Sequence, residues 1–202
     1  MNDIQKNLDI LFPDAHCELQ YFNDFSFLIA VLLSAQTTDK KVNVVTKELF
    51  VSYPDVKSLS GANLEDLIRI LKPLGLANIK AKNIKKLATI LLEKYDGNVP
   101  TTRNEIESLP GVGRKTCNVF LSEIYQIPNF AVDTHVLRVS NRLGLVDSND
   151  VLEVEKELKA IFDEKDWIKL HHQFIFFGRY LCKAKNPECF RCPFKEICRK
   201  KD

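Results

Sequence analysis

Glu105-Ile106-Glu107-Ser108-Leu109-Pro110-Gly111-Val112-Gly113-Arg114-Lys115-Thr116-Cys117-Asn118-Val119-Phe120-Leu121-Ser122-Glu123-Ile124-Tyr125 is the stretch on which the fold turns. A short helix runs up to Ser108 and stops at Leu109-Pro110-Gly111-Val112-Gly113; a second begins near Arg114. Gly111 and Gly113 let the backbone come close to another surface. The new helix aims its free N–H groups and the positive end of its dipole outward. That combination can bind phosphate whatever the base sequence, although the same five residues would also serve as a plain turn between two helices.

Lys115 falls in the first turn of the second helix, the unfavourable end for a cation. Most lysines are solvated surface groups. Here the dipole, neighbouring Arg114 and any burial all favour the neutral amine, which is how a nucleophilic lysine is made. Downstream, Asp133 in Phe130-Ala131-Val132-Asp133-Thr134-His135 is an N-cap for a helix starting at Thr134. A capping aspartate stays ionised and fixed, so it can also serve chemistry. The helix from 115 to 126 advances ~17 Å at 1.5 Å per residue, and 126–133 can span up to ~24 Å. The chain is therefore long enough to double back and bring Asp133 to Lys115.

Outward from this point, helical spacing dominates. Val42, Val45 and Leu49, then Ile84, Leu87 and Leu91, then Val151, Val154, Leu158 and Ile161 recur three and four apart. Tyr53-Pro54, Lys72-Pro73-Leu74-Gly75, Asp96-Gly97 and Ile127-Pro128-Asn129 punctuate them. Only 129–132 reads as extended, too short for a sheet. The pattern predicts an all-α chain of roughly ten helices with short connections.

The 202 residues are 45% hydrophobic and 28% charged, which excludes wholesale disorder. The longest apolar run, Phe27 to Leu33, is far short of the ~20 residues that span a membrane. The first residues resemble no secretion or organelle signal, so a cytoplasmic protein is expected. Net charge is only +2, but it is unevenly placed. Arg179, Lys183, Lys185, Arg191, Lys195, Arg199, Lys200 and Lys201 face only Glu188, Glu196 and Asp202 in the C-terminal segment, leaving the rest slightly acidic.

Four of the six cysteines crowd into that basic segment as Cys182-x6-Cys189-x2-Cys192-x5-Cys198. Such crowding suits a reducing compartment and one inorganic centre better than disulfides. Structural zinc usually shows two short Cys-x2–4-Cys pairs, and only one is present; iron–sulfur clusters accept looser spacing. Spacing leaves both open. Cations between the ligands could make the segment a phosphate-facing loop, or merely a solvated face.

Leu109 to Thr116, Ala131 to His135, the cysteine tail and the early Leu28-Ile29-Ala30-Val31-Leu32-Leu33-Ser34-Ala35-Gln36-Thr37-Thr38-Asp39 together resemble the endonuclease III family. These are helix–hairpin–helix DNA glycosylases, and the resemblance covers almost the whole chain. It implies a helical barrel over 18–127 and a second domain from 1–17 with 128–202. It implies a [4Fe–4S] cluster on Cys182, Cys189, Cys192 and Cys198. The implied partner is duplex DNA containing a damaged pyrimidine or abasic site, met by a monomer in a bacterial cytoplasm at the nucleoid.

By the same resemblance, Gln36 fills the space left by the extruded base and Leu76 wedges into the opposite strand. Gly111, Gly113, Arg114, Lys185 and Arg191 contact DNA, and Asp39, Glu107 and His135 border the substrate pocket. Lys115 attacks C1′ and Asp133 stabilises the developing sugar cation, so a glycosylase with abasic-site lyase activity is implied. The related adenine glycosylase typically lacks that lysine. Cys117 stands where the family usually has alanine and is expected to be a small buried residue. Thr37, Ala77 and Ile79 also depart, which bears on lesion preference. A monofunctional glycosylase and a non-catalytic DNA-binding protein are the alternatives.

Overall fold

The structure, a computed structural model, describes residues 2–199; Lys200, Lys201 and Asp202 of the basic tail lie outside them. Every regular element among the described residues is helical. In chain order they are α1 (Asn2–Leu11), α2 (Asp24–Leu33), α3 (Asp39–Ser52), α4 (Val56–Ser60), α5 (Leu64–Leu71), α6 (Ala77–Tyr95), α7 (Arg103–Glu107), α8 (Arg114–Tyr125), α9 (Thr134–Arg142), α10 (Val151–Ile161) and α11 (Trp167–Phe176). The extended reading of 129–132 holds only locally, for those residues pair with no strand. No helix of the described residues is long and apolar enough to cross a membrane.

The starts of the helices are written in short polar residues. Asn23 and Ser26 form a reciprocal cap on α2, Asp55 and Ser58 form another on α4, and Asn63 accepts from Glu65 and Asp66 on α5. Each satisfies N–H groups that the helix cannot, worth about 1 kcal/mol apiece.

The chain divides into two units, Glu18–Phe120 and Met1–Cys17 with Leu121–Asp202. The first is built round α2, buried from Phe25 to Leu33 and therefore apolar on every side. The long helix α6 packs on α2, α4 and α5, and Phe27 stacks on Phe120 with centroids 6.1 Å apart. The second unit gathers α1, α9, α10 and α11 round Leu8, Phe130, Val136, Leu158, Phe174 and Phe177. The division falls inside α8, not after residue 127. Phe120 belongs to the Phe27 cluster, while Ser122 bonds the Ile127 carbonyl at 3.1 Å and Glu123 approaches His172 at 3.8 Å. His171 and His172 are buried helix residues of this second core; burial pushes the His172 imidazole down to about 3.

Candidate active site

The hairpin between α7 and α8 is anchored by buried Leu109 and Val112, joined by the Val112 N–H donating to the Leu109 carbonyl at 3.0 Å. Its two glycines have different reasons for being glycine. Gly111 has φ +79°, and a Cβ there would lie 2.7 Å from Nδ2 of Asn83 on α6. Gly113 has neither constraint: a Cβ would meet nothing within 4 Å. Nothing inside the protein demands the bare backbone at Gly113.

Lys115 and Arg114 are exposed at the start of α8. The chain itself therefore does not bury the lysine, and any loss of water round the amine has to come from a bound partner. Beneath it, Cys117 is fully buried, its Sγ donating to the Arg103 carbonyl at 3.9 Å; burial pushes the thiol up to about 11. It is an inert filler, as its small size suggested. Glu107 is tied to Arg103 by a 2.9 Å ion pair, each about one-third exposed. Its carboxylate is held on the face of the short α7.

Two loops of the same unit carry Gln36 and Leu76. Both side chains are exposed and both backbones are left-handed, with φ +58° and +51°. Among the described residues, non-glycine residues at positive φ are otherwise Asp96, Gln126 and Asn186, all polar. Asparagine and aspartate tolerate that region best, and a half-exposed leucine there is out of place. Asp39, named with Glu107 for the pocket in this unit, opens α3 just after the N-cap Thr38.

Asp133 does cap α9. Its Oδ1 accepts from the N–H groups of His135 and Val136, both at 2.8 Å, while Oδ2 takes no bond among the described residues. His135 is half-buried against Gly178, and its Nδ1 lies 3.2 Å from Nη2 of Arg138. A guanidinium can only donate, so Nδ1 accepts and the imidazole is neutral, in line with burial lowering its pKa. Arg138 also donates to the Gly178 and Cys182 carbonyls, at 2.8 and 3.2 Å.

The four clustered thiols line one small cavity, walled by Arg142, Leu143, Phe177, Leu181 and Pro187. None is in a disulfide. Arg142 Nη1 lies 3.4 Å from Cys182 Sγ and donates to the Lys183 carbonyl at 2.8 Å. Outside the cavity, Arg191 and Lys183 both bond Glu188, at 2.6 and 2.7 Å, whereas Lys185 stands exposed. Of the two cations expected to meet DNA here, one already has an acidic partner.

The profile of the HhH-GPD superfamily of base excision DNA repair proteins matches residues 29–164. Endonuclease III of Bacillus subtilis (strain 168) is 50% identical over 190 residues, spanning 94% of this chain and 87% of the relative. The chain belongs to the endonuclease III family. A solved non-covalent endonuclease III–DNA complex superposes with a TM-score of 0.95 at 49% identity, covering 98% of this chain and 93% of that one. A trapped endonuclease III–DNA covalent intermediate gives 0.94 at 49%, covering 98% and 95%. The all-α fold with its helix–hairpin–helix is thus that of endonuclease III.

Reasoning from sequence missed Lys80, Asn83, Arg138 and Arg142. Lys80 carried a signal: it lies four residues before Ile84 and seven before Leu87, on the apolar stripe of α6. The others looked like ordinary helix-surface residues.

Proposed function

We propose that this endonuclease III family member releases oxidised pyrimidines from duplex DNA and then cleaves the abasic site, acting as a monomer on the DNA of a bacterial cytoplasm. The observation that carries this is Lys115, an exposed amine in the first turn of α8 directly behind Gly111 and Gly113. A phosphate-binding helix start beside a nucleophile fits catalysis on the DNA backbone better than binding alone.

In the proposed reaction the damaged base leaves the stack, Gln36 fills its place and Leu76 enters the facing strand. Lys115 Nζ, as the free amine, bonds to C1′ while the C1′–N bond breaks and its electrons depart with the base, which takes up a proton. Opening of the sugar ring then gives the imine to Lys115. Loss of a C2′ proton expels the 3′ phosphate, breaking C3′–O, and water finally frees the lysine. Asp133 uses Oδ1 to hold itself in place, which leaves Oδ2 for the positive charge that develops on the sugar. Binding of DNA over exposed Lys115 would strip the water that the chain leaves there. Asp39, Glu107 and neutral His135 are proposed to border the extruded base; Arg114, Lys185 and Arg191 are proposed to hold phosphates.

Cys182, Cys189, Cys192 and Cys198 are proposed to hold a [4Fe–4S] cluster. The donor set fits: four thiols round one largely apolar cavity, with Arg142 aiming an N–H at sulfur. Zinc fits less well. Structural zinc usually takes two short Cys-x2–4-Cys pairs, and only Cys189 and Cys192 are so spaced here. Bound, the cluster supplies rigidity to the basic segment, and every chemical step above belongs to Lys115 and Asp133.

The test is borohydride reduction during incubation with a duplex carrying one oxidised thymine. Wild type is expected to become covalently attached to DNA and Lys115→Ala to lose attachment and strand cleavage by a factor on the order of a thousand. Base release without attachment would make it a monofunctional glycosylase. A cluster-loaded protein that binds the duplex but neither attaches nor releases a base would leave only DNA binding.

A further inference from the structure

Lys80 is the most deeply buried cation of the Glu18–Phe120 unit, with 4% of its surface exposed. It has no acidic partner among the described residues. Its Nζ donates instead to two backbone carbonyls, Ala35 at 2.9 Å and Leu74 at 3.1 Å. Each carbonyl closes a helical segment: Ala35 follows the end of α2, and Leu74 ends the 3-10 turn Lys72–Leu74. Helix ends leave carbonyls unpaired and attract positive charge, which gives the ammonium a reason to sit there. Burying a charge is nevertheless costly, and a methionine of similar length would fill the same space.

What the lysine achieves that an apolar residue could not is a link between two separate loops. One carbonyl is a single residue before Gln36 and the other is two before Leu76. We propose that Lys80 is a positioning residue for base extrusion, setting the separation of the two side chains that enter the duplex. This rests on the proposed roles of Gln36 and Leu76. Both loops have left-handed backbones that do not hold themselves, so a shared anchor keeps both side chains presented together. Burial lowers the pKa of Lys80, in keeping with an amine shielded from water. On the next turn of the same helix Asn83 meets Gly111 of the hairpin, so α6 backs three DNA-facing loops at once.

The experiment compares wild type and Lys80→Met, both cluster-loaded, on two substrates. One is a duplex with a paired oxidised thymine, which must be opened and filled. The other is a single strand with an abasic site, which needs Lys115 but has no partner strand to wedge. Lys80→Met is expected to release the paired base roughly tenfold more slowly, since two buried carbonyls lose their donor and the loops part. Single-strand cleavage is expected to stay within about twofold of wild type. The fluorescence rise of a 2-aminopurine facing an abasic analogue, which reports unstacking without chemistry, should fall in parallel with base release.

An equal loss on both substrates, or no loss on either, overturns the positioning role. Should Lys80→Met fail to fold, Lys80→Arg carries the test. It keeps the charge but moves the donors outward, and the same split of about threefold is expected. Wild type that is inert on both substrates and gives no fluorescence rise removes the proposed function and this role with it. Active wild type with an unsplit loss removes Lys80 alone.

Discussion

In the Glu18–Phe120 unit the loops bearing Gln36 and Leu76 are held by the chain's own atoms: a buried lysine, two carbonyls and the packed face of α6. The segment from Cys182 to Cys198 in the other unit has far less of its own. Its regular structure is the single 3-10 turn Cys189–Arg191, its buried anchor is Phe194 against Phe177, and Phe190 and Ile197 are exposed. Arg142 and Glu188 supply polar ties, and the four thiols line a common cavity. Two surfaces proposed to meet the same DNA are thus held by different means. One is complete as polypeptide; the other is proposed to be completed by a cluster on its four cysteines.

The difference is broken most directly by taking the inorganic centre away. Oxidative removal of iron from the loaded protein should release several kcal/mol of structure in the cysteine segment, because ligand binding there is folding free energy. Amide exchange is expected to accelerate over 182–199 while α2, α5 and α6 keep their protection. DNA binding should weaken as the basic loop loses its shape. Uniform loss of protection in both units would show that the first also depends on the cluster, and the contrast would fall.

A second comparison lies within the hairpin. Gly111→Ala meets both a positive φ and Asn83, and is expected to cost about 2 kcal/mol of stability in thermal unfolding. Gly113→Ala meets open space and is expected to change stability by less than about 0.5 kcal/mol. Its effect should appear in DNA affinity, as a loss of roughly tenfold, because a methyl group would stand where the phosphate approaches. If both variants behaved alike, the distinction between an internally required glycine and an externally required one would be lost.

Legibility followed the locality of the physics. The start of α9 was readable because a cap is a matter of three residues, here Asp133 to Val136. The cysteine spacing was readable because all four ligands lie within one short segment. Lys80 was not, because its role depends on carbonyls 45 and 6 residues away. The division inside α8 was equally hidden: α8 is continuous in sequence, and only packing assigns Phe120 to one core and Ser122 to the other. Exposure of Lys115 was equally hidden, since its helix is amphipathic and its position in the first turn does not say which way the side chain faces.

The smallest expected effect concerns Leu76, where function and stability should part. A leucine at φ +51° that leaves half its surface in water gains little from burial and holds an unfavourable backbone. Leu76→Gly removes a left-handed conflict of about 1–2 kcal/mol and gives part of it back as freedom of the unfolded chain, so stability should rise by roughly 0.5–1 kcal/mol, seen as an upward shift of about 1–4 °C in the unfolding midpoint. Leu76→Ala keeps the left-handed residue and should bring no such gain. Both variants lose the proposed apolar wedge, so both should release a paired base more slowly while leaving single-strand abasic cleavage untouched. A glycine variant no more stable than wild type would mean that Leu76 stores no conformational energy. A glycine variant that is more stable yet slower would locate the conflict at the residue proposed to enter DNA, with Lys80 as the proposed anchor that keeps the conflict in place.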